Sequence, residues 1–156
     1  MKKSILFFPR LLSLIVFSFL LMQCKKDEAP PKPASELILG SWLMTADTYS
    51  PAYDYLGNGS KITDAFPLYD ACAKDDILTF KTNSEGEFNE GGTKCDAADP
   101  QSIPFLWTLK NNDKTLNISA LSDYTIVQLD NTTLKLSETF TDNGITYTET
   151  YVFTRK

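Results

Sequence analysis

From residue 37 onward, apolar and polar residues alternate in short runs, broken by Asn, Asp, Gly and Ser. Period-two alternation between turn residues marks strands, and no helical period of useful length competes with it. The runs predict eight strands, at 38–48, 75–81, 86–91, 104–110, 114–119, 123–129, 132–141 and 144–154. Turn chemistry separates most of them, as at Asn83-Ser84-Glu85-Gly86, Asn111-Asn112-Asp113, Asp130-Asn131 and Asp142-Asn143-Gly144. The last two runs are the most regular. Leu134, Leu136, Glu138 and Phe140 share one face of the first; Ile145, Tyr147, Glu149, Tyr151 and Phe153 share one face of the second. Threonine dominates the opposite faces. A sheet that is apolar on one side can bury that side by closing on itself, which also removes its edges. The expected fold is therefore all-β, an eight-stranded antiparallel up-and-down barrel. A two-sheet sandwich is the alternative, disfavoured because its Greek-key crossings need longer connections than these.

The chain ahead of this pattern is different. Lys2, Lys3 and Arg10 are basic, no acidic residue precedes Asp27, and Leu11 to Met22 is apolar except for Ser13 and Ser18. Twelve helical residues span about 18 Å, whereas a bilayer core of about 30 Å needs nearer 20 apolar residues. Residues 1–23 thus read as a secretion signal, with a spanning anchor as the alternative. Leu21-Met22-Gln23-Cys24 resembles the lipobox of bacterial lipoproteins, although Gln23 is larger than the residue usual there. The following Lys25-Lys26-Asp27-Glu28 resembles the charged tag of surface-exported lipoproteins. This resemblance implies cleavage before Cys24 and lipidation of its sulfur. It also implies residence at the outer membrane, on the periplasmic face or the cell surface. Residues 24–36, rich in proline and charge, then form a flexible lipidated tether, and 37–156 the folded domain.

Composition narrows the chemistry. The sequence has no histidine, which excludes Ser-His-Asp and Cys-His catalysis and histidine-ligated metals or haem. Cleavage would remove 3 of the 15 basic residues, leaving 12 against 20 acidic ones and a net charge of −8. Such a surface repels nucleic acid. In an exported, oxidising compartment the remaining pair, Cys72 and Cys95, is expected as a disulfide. If Phe80 faces Phe88 across their turn, the two cysteines fall nearly opposite at the open end of one hairpin. Gly91-Gly92 could absorb the one-residue slip as a bulge.

Gly40-Ser41-Trp42 at the start of the first strand resembles the G-x-W signature of lipocalins. Lys74-Asp75-Asp76-Ile77-Leu78-Thr79-Phe80, with a glycine turn and Lys94-Cys95 after it, resembles the lipocalin-like domain of bacterial membrane-anchored lipoproteins. The similarity spans roughly Leu37 to Lys156. It implies that Trp42 closes one barrel end against a late basic residue, for which Arg155, in phase with Phe153, is the candidate. It also implies a cup that binds small apolar or amphipathic molecules.

Two features locate function within that cup. Residues 49–70 read as one long connection carrying Tyr49, Tyr53, Tyr55, Phe66 and Tyr69. Such a segment is either a lid lending ring faces to a ligand or a plug filling a barrel without a cavity. Glu138 and Glu149 fall on inward faces among Tyr147 and Tyr151. With Asn143-Gly144 as the central turn pair, the two carboxylates face each other, their β-carbons about 5 Å apart. They are candidates for a ligand amine, a ligand hydroxyl or a cation, unless Arg155, Lys135 or a loop lysine satisfies them. Facing carboxylates also match the spacing of about 5–5.5 Å in retaining glycosidases, but nothing else supports a sugar-cleft enzyme. Asp75-Asp76 lacks the pattern of a calcium loop. The reading is a noncatalytic, membrane-anchored binder of a small lipophilic ligand, without cofactor or metal. The alternative is a filled barrel that engages a protein or envelope component through 49–70, its partner unspecified.

Overall fold

The computed structural model describes residues 30–119 and 121–156. The expected signal segment and Cys24 lie outside the described residues. A single helical turn, α1 (Ala34–Leu37), covers the last residues of the expected tether. Nine strands follow among the described residues: β1 (Gly40–Tyr53), β2 (Ile62–Asp64), β3 (Ile77–Phe80), β4 (Glu85–Asn89), β5 (Ser102–Lys110), β6 (Thr115–Ile118), β7 (Asp123–Leu129), β8 (Thr133–Asp142) and β9 (Ile145–Arg155). β1 and β3 through β9 pair antiparallel in chain order, and β9 returns to β1, so eight strands close into an up-and-down barrel. β2 lies outside that circuit, paired to the far half of β1.

The barrel interior is the core. Ile38, Trp42, Phe80, Leu116, Leu134 and Leu136 are almost wholly excluded from water. Trp107 closes the β3–β4 turn by donating its indole N–H to the Glu85 carbonyl at 2.8 Å. Phe105 packs against Gly86, where a β-carbon would come within 2.2 Å of its ring, so only glycine fits there.

Two expectations change. β1 does not stop at residue 48; β9 still offers Thr148 to Ser50, and β2 then pairs Ile62 with Tyr53, so the strand runs to Tyr53. The supposed connection 49–70 therefore begins as a strand, and its remainder contains β2 and a short helical turn at Phe66–Leu68. Phe80 pairs with Gly86, and Phe88 with Leu78, two residues away from the expected register. The turn there is tight, with Lys81 N–H bonded to the Glu85 carbonyl and Asn83 and Ser84 left-handed. Cys72 and Cys95 are nevertheless joined, their Cα atoms 5.2 Å apart.

The wall is uneven. β1, β8 and β9 have 14, 10 and 11 residues, while β3, β4 and β6 have only 4 or 5. The turns 81–84, 111–114 and 130–132 gather at one end with α1; segments 54–76, 90–101, 119–122 and 143–144 gather at the other.

Candidate functional site

One end is sealed by a cation on a ring. Trp42 is fully buried and donates its indole N–H to the Ile38 carbonyl at 2.8 Å. The Arg155 guanidinium sits 4.2 Å from the Trp42 ring centroid, where the ring's negative face attracts it. It also donates to the carbonyls of Leu37, Leu39 and Asn131. Gly40, at φ +117°, makes room for it.

Above this seal lies an apolar cavity of about 160 Å³, partly open, lined by Met44, Leu78, Ile118, Tyr124, Leu136 and Tyr151 among others. A void of about 150 Å³ lined by aliphatic and aromatic carbon stays dry and admits benzene, so this space suits a small ring or a short acyl segment. Its rim is apolar too. Phe88 and Leu121 border it while remaining substantially exposed, and Ile103, the ladder partner of Phe88, is equally so.

The tall side of the barrel carries a polar layer. Glu138 and Glu149 are direct cross-strand partners in the β8–β9 ladder. Tyr151 donates its hydroxyl to Glu138 at 2.9 Å, and Tyr49 donates to Glu149 at 2.7 Å. A third carboxylate, Asp47, is fully buried beside them, accepting from the Tyr69 hydroxyl at 2.7 Å. Burial pushes the Asp47 carboxyl up to about 6, and adjacent Glu149 adds to the rise. Burial likewise raises the hydroxyls of Tyr49, Tyr69 and Tyr151 far above the ordinary tyrosine range, so they act as donors. Among the described residues, the ion pairs are Lys81–Glu87 and Lys110–Asp123, both at the surface and away from this layer.

Asp47 enters the interior through a β-bulge. Met44 pairs with Phe153 but Ala46 with Val152, so one residue is inserted between them. Trp42 and Met44 face inward before the bulge, Asp47 and Tyr49 after it. Strict alternation from Trp42 would have sent Asp47 to solvent. Tyr69, expected only as one of the rings of 49–70, meets the site through Asp47, and Tyr124 carried no signal in the sequence.

The candidate rings divide. Tyr151 lines the cavity; Glu138 and Glu149 lie directly behind its hydroxyl. Tyr49, Tyr53, Phe140 and Tyr147 pack on one another at the tall end, with centroids 4.9–6.3 Å apart. Tyr55 stacks on Tyr69, which also touches Phe66. None of these borders the apolar cavity; Tyr53 and Tyr147 instead edge a wide polar hollow beside Asp54, Lys61 and Asp142. Asp75 has a structural task, accepting the N–H groups of Gly92 and Thr93 to fix the turn near the disulfide.

Residues 38–136 match the family model of the lipocalin-like domain, and the chain belongs to that family. Solved structures similar to it include bovine odorant binding protein in complex with undecanal, at 15% identity over 83% of this chain and 77% of that chain, TM-score 0.41. The odorant-binding protein from bovine nasal mucosa is similar at 15% identity over the same shares, TM-score 0.42. A comparison with curated proteins finds no match.

Proposed function

We propose that this chain is a noncatalytic lipoprotein, held to the outer membrane through Cys24, whose barrel binds a small lipophilic molecule. One observation carries the binding half: an apolar cavity of about 160 Å³ inside the barrel, reached past the exposed apolar residues Phe88 and Leu121. An apolar interior behind an apolar rim takes up carbon from a membrane or from water. The anchor half rests on the sequence around Cys24. A diacylglyceryl group plus a further acyl chain supplies the multiple anchors that stable membrane residence needs. Residues 24–33 would then space the domain from the bilayer.

Native mass spectrometry of the protein purified from its own host tests the binding half. A retained small apolar molecule is the expected result, and a chain that carries nothing after gentle isolation and takes up no apolar probe would overturn it. Metabolic labelling with an alkyne fatty acid tests the anchor, with Cys24→Ser expected to remove the label. Exposed Leu56 and Leu68, on the segment beyond β1, favour a second reading in which that segment docks on an envelope component.

A further inference from the structure

Two carboxylates oppose each other inside this barrel with a third beside them, and among the described residues no cation pairs with any of the three. Glu138 and Glu149 are opposed across the ladder, and Asp47, the ladder partner of Tyr151, is buried near enough to Glu149 for that carboxylate to push the Asp47 carboxyl up. The protein supplies only hydroxyl donors here, one tyrosine to each carboxylate. The second oxygen of Asp47 is buried and receives nothing, although the residue is wholly inaccessible to water. Leaving a buried acceptor unmade is costly, and opposed like charges add to that cost. The layer is therefore built to receive a donor that the described residues do not supply.

We infer that the ligand of the cavity is a small lipophilic amine, whose ammonium lies on Glu138 and Glu149 with Asp47 behind them. This rests on the cavity reading given above. The geometry matches in two ways. Tyr151 belongs to both regions, lining the cavity and donating its hydroxyl to Glu138, so the carboxylates begin one side chain beyond the cavity lining. Tyr124 stands beside it, ring centroids 6.0 Å apart, adding a second aromatic surface where a cation would pass. A primary ammonium brings three donors and an attached apolar body. A bare metal ion fits less well, because among the described residues no three acidic groups are arranged to chelate one. An anionic ligand such as a fatty acid would meet repulsion from all three carboxylates.

The test uses the full chain in lipid nanodiscs, with empty nanodiscs as the partition control. Saturable binding of 4-fluorobenzylamine, 4-fluorobenzyl alcohol and 4-fluorobenzoate is followed by fluorine NMR near neutral pH. The three share size and ring and differ in the charge of one group. The amine is expected to bind at least about tenfold tighter than the alcohol, and the benzoate weakest. Glu138→Gln with Glu149→Gln should bring the amine-to-alcohol ratio close to one, its fold verified by thermal melting. Equal wild-type affinities for amine and alcohol would overturn the amine assignment while sparing the cavity. So would a ratio that survives the double substitution, or tighter binding of benzoate. Absence of saturable binding by all three would overturn the cavity reading, and this assignment with it.

Discussion

The guanidinium of Arg155 occupies the space that a side chain at Gly40 would need: a β-carbon there would lie 2.6 Å from one of its terminal nitrogens. The glycine is thus required by the cation as much as by its own positive φ. Gly40→Ala and Arg155→Ala should fail alike. Each removes Arg155 from Trp42 and leaves the carbonyls of Leu37 and Leu39 without their donor. A loss of about 2–4 kcal/mol is expected, read as a fall in Tm of roughly 10 °C. Unchanged melting of either variant would show that the seal contributes nothing.

Acidic stability follows from Asp47. Its folded-state pKa, about 6, lies above the ordinary aspartate value of 3.8, so folding takes up a proton between those limits. Stability is then greatest below about pH 4 for this group and declines as pH rises through about 6. Its share is at most about 3 kcal/mol. Asp76, also raised to about 6 by burial, with Glu90 and Asp75 adding to it, acts in the same direction. Asp130, Glu87 and Asp123 are lowered and lose their contributions only on further acidification. Urea melts between pH 4 and 7 should show the decline, and Asp47→Asn should flatten it.

Reduction of Cys72–Cys95 should lower stability without touching binding. The bridge spans 23 positions, which in the chain-entropy model stabilises by up to about 3.4 kcal/mol. It joins the segment before β3 to the segment after β4, and neither cysteine borders the cavity. Denaturant midpoints with and without reductant, alongside probe affinity, separate the two effects.

The mouth can be blocked from outside. Leu121 borders the cavity yet is 52% exposed, so Leu121→Trp adds bulk without disturbing packed core. Probe binding is expected to fall at least tenfold while Tm stays within a few degrees. A variant that binds as before would show that ligands enter elsewhere.

Much of this was legible in the sequence where local chemistry fixed the register. Asn143 and Gly144 both have positive φ and make a two-residue hairpin turn, so Glu138 had to face Glu149. The alternation of β8 and β9 then declared which face was inside. Elsewhere the deciding contact was distant. Phe80 pairs with Gly86 because Phe105, from the next strand, needs the space over a glycine. Residues 49–70 read as one connection, but Tyr49 and Ser50 continue the ladder against Glu149 and Thr148. Asp47 escaped notice because no residue around Thr45 announces an inserted position. A bulge is set by what two strands must bring together, not by one strand's composition.

That insertion has a consequence for how the interior is written. Below residue 45 the first strand lends the lumen carbon, and above it oxygen, with no change in the rhythm of its letters. Without the bulge, unbroken alternation of the same letters would turn Ala46, Thr48 and Ser50 to the inner surface in place of Asp47 and Tyr49. One surplus residue thus lets a strand that starts by lining the lumen with Trp42 and Met44 finish by lining it with an acid and a phenol.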